Sequence, residues 1–80
     1  MSVQLDDYAR TEVTTRNGKA VVIDTRYVPY PLGRGYESMV FRASDKKGKA
    51  LDEKHYGESK SAADAGHTKL INKWMKQTLV

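Results

Sequence analysis

Two imidazoles, His55 and His67, are the residues of this 80-residue chain best suited to proton or metal chemistry. His67 falls on the apolar stripe of a predicted helix, within reach of Tyr36 or Glu37 on a predicted strand. Paired with Glu37 it would make a general acid/base couple, but the sequence sets no nucleophile, oxyanion donor set or second carboxylate beside them. A buried histidine with a satisfied hydrogen bond is the simpler reading. His55 follows Asp52 and Glu53 closely enough for weak metal ligation, yet adjacent polar residues on a charged edge strand are more commonly just solvated. Gly33-Arg34-Gly35 invites comparison with a phosphate loop, but the Gly-x-x-x-x-Gly-Lys spacing and the strand–loop–helix setting are both missing. It reads as a turn that displays Arg34. We therefore expect no catalytic, metal-binding or cofactor-binding residues.

Two groups remain as candidate contact surfaces. Tyr27, Tyr30, Leu32 and Arg34 cluster around Pro29 and Pro31, and exposed Tyr and Arg are good anchors for a protein partner. Buried, the tyrosines would instead cap the sheet. Lys69, Lys73 and Lys76 recur at helical spacing and form a stripe able to follow a phosphate backbone. A solvated lysine face on an amphipathic helix explains the same stripe equally well.

The elements that must carry these side chains are legible in outline. Asn17-Gly18 between two β-rich runs, Tyr8–Arg16 and Lys19–Val28, signals a hairpin. With a two-residue turn, Val13 would face Val22, Thr14 would face Val21, and Glu12 would face Ile23. Val21, Ile23 and Tyr27, with Tyr8, form the better core face. Val22 and Val28 share the opposite one, so both faces have some apolar content. A proline- and glycine-rich loop leads to a strand over Tyr36–Ala43, in which Met39 and Phe41 are the expected inward residues. Asp45-Lys46-Lys47-Gly48 is a second turn, and Lys49–Tyr56 reads as a short, charged fourth strand at an edge.

Ser59 opens the one helix. It is a suitable N-cap, and Asp64 lies in the early turns, where the helix macrodipole favours negative charge. Ala63, His67, Leu70, Ile71, Trp74 and Thr78 form the buried stripe. Gly66 costs about 1 kcal/mol relative to Ala in a helix, so its presence suggests that the helix approaches a strand closely. The expected fold is α+β: an antiparallel three- to four-stranded sheet with one C-terminal helix packed on one face, a single domain over 1–80 with residues 1–7 frayed.

Composition bounds the rest. There are no cysteines, hence no disulfide or thiolate metal site, and one compact core or self-association must supply stability. Fourteen basic against 10 acidic residues give a net charge of +4, which permits but does not require nucleic-acid contact. No segment is apolar for long enough to span a membrane. The first residues lack the basic-then-apolar order of a signal peptide, so a cytoplasmic location is expected.

Val22-Ile23-Asp24-Thr25, the Pro/Gly loop, Tyr36-Glu37-Ser38-Met39-Val40-Phe41, Ser59 and Ala63-Asp64-Ala65-Gly66-His67 occur here in an order that resembles a family of small phage and prophage proteins. Its members carry a Tyr/Phe-Glu-Thr-Met-Val-Phe strand, then a Tyr-x-Thr helix start and a Glu-Glu-Ala-x-x-Gly-His segment. Here Ser38 and Ser59 replace the two Thr, Ser61-Ala62 replace the two Glu, and one extra residue separates Tyr56 from the helix. The resemblance covers residues 21–74. The family carries no established activity, so the resemblance implies a phage or prophage origin rather than a mechanism. The expected role is a non-catalytic accessory protein that binds a host or phage protein, as an inhibitor for example. Nucleic-acid binding through the lysine stripe is the alternative, and a minor virion or assembly component, including a homodimer, is the third reading.

Overall fold

The computed structural model describes residues 7–45 and 48–79. Four strands, β1 (Asp7–Thr14), β2 (Ala20–Val28), β3 (Gly35–Arg42) and β4 (Asp52–Gly57), precede one helix, α1 (Lys60–Lys76). The strands form an antiparallel meander in the order β1-β2-β3-β4, with α1 against one face. The architecture is α+β, and the charged fourth strand does lie at an edge. The expected fraying over residues 1–7 and the turn residues Lys46 and Lys47 lie outside the described residues except for Asp7, which pairs with Arg26. The side chain of Tyr8 also lies outside them.

The β1–β2 register differs by one residue from the expected hairpin. Val13 faces Val21, Thr11 faces Ile23 and Glu12 faces Val22. The Gly18 amide donates to the Thr15 carbonyl (3.0 Å) and the Thr15 amide to the Lys19 carbonyl (2.7 Å), closing a three-residue loop. Only Gly18 has positive φ (+80°) there, whereas a two-residue type I′ turn needs it at Asn17 too. A one-residue slip exchanges faces, so Val13 joins Val21 under the helix.

Strand β3 also turns its other face inward. Ser38 and Val40 are fully buried, whereas Met39 and Phe41, expected in the core, are half-buried on the opposite face. In this phase Ser38 bonds Thr25, the neighbour of His67 on the helix stripe, and Val40 joins the core cluster, so the small polar and the β-branched residue lie under α1. The core cluster is Val13, Val21, Ile23, Val40, Leu70, Trp74 and Leu79, with Leu51 and Ile71 packed at its margin. Ala63 and His67 complete the buried helix stripe as expected. Thr78 does not: α1 ends at Lys76 with Gln77 as C-cap, Thr78 is exposed, and Leu79 is buried instead.

At its start, α1 is capped as the sequence indicates, with the Ser59 hydroxyl accepting from the Ala62 amide (3.2 Å). Between β3 and β4 the pairing shifts: Tyr36 faces Gly57 but Glu37 faces His55, so Tyr56 is the residue accommodated by a bulge. Its ring extends under the helix at Gly66, occupying space that a Cβ there would need. The glycine thus marks the close helix–strand approach.

Candidate functional site

The buried centre is a chain of hydroxyls ending on an imidazole. The Tyr56 hydroxyl donates to Ser38 Oγ (3.0 Å), Ser38 Oγ lies 2.5 Å from Thr25 Oγ1, and Thr25 Oγ1 lies 2.6 Å from His67 Nδ1. On its other side, His67 Nε2 lies 2.9 Å from Thr11 Oγ1. The contacts can run in either direction. Ser38 can donate to Thr25 and Thr25 to Nδ1, with Nε2–H donating to Thr11, which leaves over the Thr11 hydroxyl proton. Alternatively, Nδ1–H donates to Thr25 and Thr25 to Ser38, with Thr11 donating to Nε2, which leaves over the Ser38 proton. In both, each ring nitrogen of a neutral His67 has a hydroxyl partner. Burial lowers its pKa below the ordinary 6.5, against a smaller opposing effect of the Asp64 charge.

With both ring nitrogens engaged, His67 is a satisfied core histidine, and this arrangement rigidifies the helix–sheet contact. The partners are not those expected. Thr11 and Thr25 take the places considered for Tyr36 and Glu37. Glu37 lies on the far face of the sheet, its Oε2 3.8 Å from Arg26 Nη2, so a Glu37–His67 couple does not form. Nor do Asp52, Glu53 and His55 converge. His55 Nε2 contacts Glu53 Oε1 (2.9 Å), while Asp52 turns to the helix face. Among the described residues no three His, Cys, Asp or Glu are placed to hold a metal ion.

Asp52 joins β4 to the helix. Its Oδ2 accepts from Lys73 Nζ (2.6 Å) and from Trp74 Nε1 (3.3 Å), and its Oδ1 accepts from the Glu53 amide (2.9 Å). Burial of the carboxyl acts to raise its pKa, but the bonds from Lys73, the Glu53 amide and the indole outweigh that and hold it below the usual 3.8. Lys73 Nζ also lies 5.9 Å from the Trp74 ring centroid. Of the three lysines in the predicted stripe, then, Lys73 is engaged with an acid, and all three are exposed.

The loop between β2 and β3 presents the other group. Tyr30 is 88% exposed and Leu32 67% exposed, and Arg34 is exposed as well. The Tyr30–Pro31 peptide is cis. Below the tip, the Gly33 amide donates to the Pro29 carbonyl (3.1 Å) and Val28 pairs with Gly35. Tyr27 is not displayed with the others. It is half-buried, packs edge-on against Tyr36 (centroids 4.8 Å apart), and donates its hydroxyl to Glu58 Oε2 (2.8 Å). That bond raises its pKa above 10.0. The structure thus brings Tyr30, Leu32 and Arg34 to one exposed tip and uses Tyr27 to tie its base to the β4–α1 junction.

The sheet face opposite α1 carries a shallow cavity of about 330 Å³, lined by Val22, Met39 and Phe41 among charged residues that include Arg10 and Arg26. Sequence reading missed this surface because it assigned Met39 and Phe41 to the core. Among the described residues, no helix is long and apolar enough to cross a membrane. Comparison of the chain with protein-family models, with curated proteins and with solved structures finds no match.

Proposed function

We propose that this protein is a non-catalytic binding module, an accessory protein of phage type that acts in the host cytoplasm by occupying a host or phage protein. The observation that carries this reading is the tip of the β2–β3 loop. Two of the three large hydrophobic side chains that stand exposed among the described residues, Tyr30 and Leu32, lie two positions apart there, beside Arg34. Large exposed apolar groups next to an arginine are the usual composition of an interface hot spot. The hydrogen-bonded base limits the entropy lost when such a tip docks. The histidine that a catalytic reading would need is already committed to Thr11 and Thr25.

The test is a pull-down from host lysate with wild type and with Tyr30→Ala/Arg34→Ala. The variant should lose the captured partner yet melt within about 0.5 kcal/mol of wild type, as exposed substitutions do. Retention of every partner would overturn the loop assignment. Nucleic-acid binding is the competing reading, supported by the exposure of Lys69 and Lys76. Light scattering after size exclusion, with and without nuclease at two salt concentrations, separates the two. Co-eluting nucleic acid that is released by salt would favour the lysines, and a nuclease-indifferent species would favour the loop.

A further inference from the structure

A second surface has the shape and charge of a ligand site, and it does not involve the Tyr30 loop. A cleft of about 480 Å³ lies between α1 and the edge strand β4. That volume falls within the roughly 300–1,000 Å³ typical of small-molecule sites. Tyr56, Ala65 and Gly66 contribute its apolar walls, and Lys54, Lys69 and Lys73 line it as well. The Tyr56 ring is fixed by its bond to Ser38 and by its seat against Gly66, so this wall is preformed.

Charge distinguishes the cleft from an ordinary surface furrow. Lys73 is neutralised by Asp52, but Lys54 and Lys69 are exposed, and neither has an ion-pair partner among the described residues. Two uncompensated ammonium groups therefore stand beside apolar walls, with methylene stems able to lie along a bound hydrocarbon body. A cation would find no acidic side chain among the residues that line the cleft.

We propose that this cleft binds a small organic anion, an aryl carboxylate, with its ring against Tyr56 and Gly66 and its carboxylate between Lys54 and Lys69. The same wall that joins β4 to the helix then serves as a recognition surface. The side chain at position 65 controls access to it.

The test uses the full chain, isotopically labelled, followed by NMR during titration with indole-3-acetate. Tryptamine (the same ring with a cationic tail) and acetate (the anion without a ring) are the controls. Saturable shifts confined to Lys54, Tyr56, Ala65, Lys69 and their neighbours are expected with indole-3-acetate alone. Lys54→Gln/Lys69→Gln should weaken binding about tenfold. Ala65→Leu, at an exposed helix position, should abolish it while leaving the melt unchanged. The proposal is overturned by an equal response to tryptamine or acetate, by no saturable shift at millimolar ligand, or by an affinity indifferent to the lysine replacements. It is also overturned if a short oligonucleotide shifts these residues and indole-3-acetate does not. Because the Tyr30 loop takes no part, the result is independent of the pull-down.

Discussion

The Tyr56 ring lies against the helix backbone at Gly66, in the space a Cβ would occupy, while its hydroxyl donates to Ser38. Two opposing effects therefore meet at position 66. Alanine would favour the helix by about 1 kcal/mol, but forcing the ring aside costs about 1–3 kcal/mol and breaks a partly buried hydrogen bond. We expect Gly66→Ala to be destabilising in the wild-type background and stabilising by about 1 kcal/mol once Tyr56 is replaced by Ala. Urea melts of the four proteins check the reversal of sign, and the same sign in both backgrounds would refute this account of the glycine.

His67 sets a pH dependence. In the unfolded chain its imidazole protonates near the ordinary 6.5, but in the fold burial postpones protonation to lower pH. Within that window the unfolded state binds more protons, so stability falls as the pH drops below about 6.5 and is fully retained above it. Protonation would also make both ring nitrogens donors, so that Thr25 and Thr11 would each have to accept from the ring. Melts between pH 7.5 and 5 should show this loss in wild type, and His67→Gln should abolish that part of the slope. An unchanged slope in the variant would assign it elsewhere.

The same contacts bear on which parts of the structure could be read in advance. The helix was legible because its signals are local: Ser59 as cap, the Ala63–His67–Leu70–Trp74 spacing, and Gly66 as a mark of close approach. The facing of β3 was not. Tyr36-Glu37-Ser38-Met39-Val40-Phe41 alternates in either phase with apolar residues on both sides, and size favoured Met39 and Phe41. The inward phase places Ser38 against Thr25, itself the partner of His67, and Val40 in the core cluster, which are long-range contacts that no pattern within the strand reveals. The hairpin slip has a similar origin. Asn-Gly predicts a turn, but its length depends on a tertiary role for Asn17 that no local pattern reveals. The exposed tip was legible in its composition, although Tyr27 proved to belong to its base.

Asp52 should make β4 docking sensitive to acid. Its lowered pKa means that the unfolded chain takes up a proton first as the pH falls below about 3.8, and the stabilisation is lost as the pH passes through the folded value. Lys73 is nearly half exposed, so solvent screening keeps the ion pair small. Asp52→Asn should cost about 1 kcal/mol at neutral pH, whereas Trp74→Ala should cost about 3–5 kcal/mol through the cavity it leaves. Chemical denaturation followed by circular dichroism distinguishes these magnitudes, because Trp74 is the only tryptophan of the chain and its replacement removes that fluorescence. A Trp74→Ala melt that barely moved would contradict the placement of the helix.

Asn17 joins the β1–β2 loop to the segment that follows α1. Asn17 Nδ2 donates to the Leu79 carbonyl (2.7 Å), and Asn17 Oδ1 accepts from the Leu79 amide (3.0 Å) and from the Thr15 hydroxyl (2.7 Å). The Arg16 amide adds a bond to the Gln77 carbonyl (2.9 Å). One side chain thus satisfies both backbone groups of Leu79 and holds that residue's side chain in the core, where it is 7% exposed. Asn17→Ala should remove the clamp and let Leu79 leave the core, so its cost should approach that of Leu79→Ala, about 2–5 kcal/mol. The two losses share one cause and should not add: the double variant should be little less stable than Leu79→Ala alone. Full additivity in a double-mutant cycle would show that Asn17 acts only within its own turn.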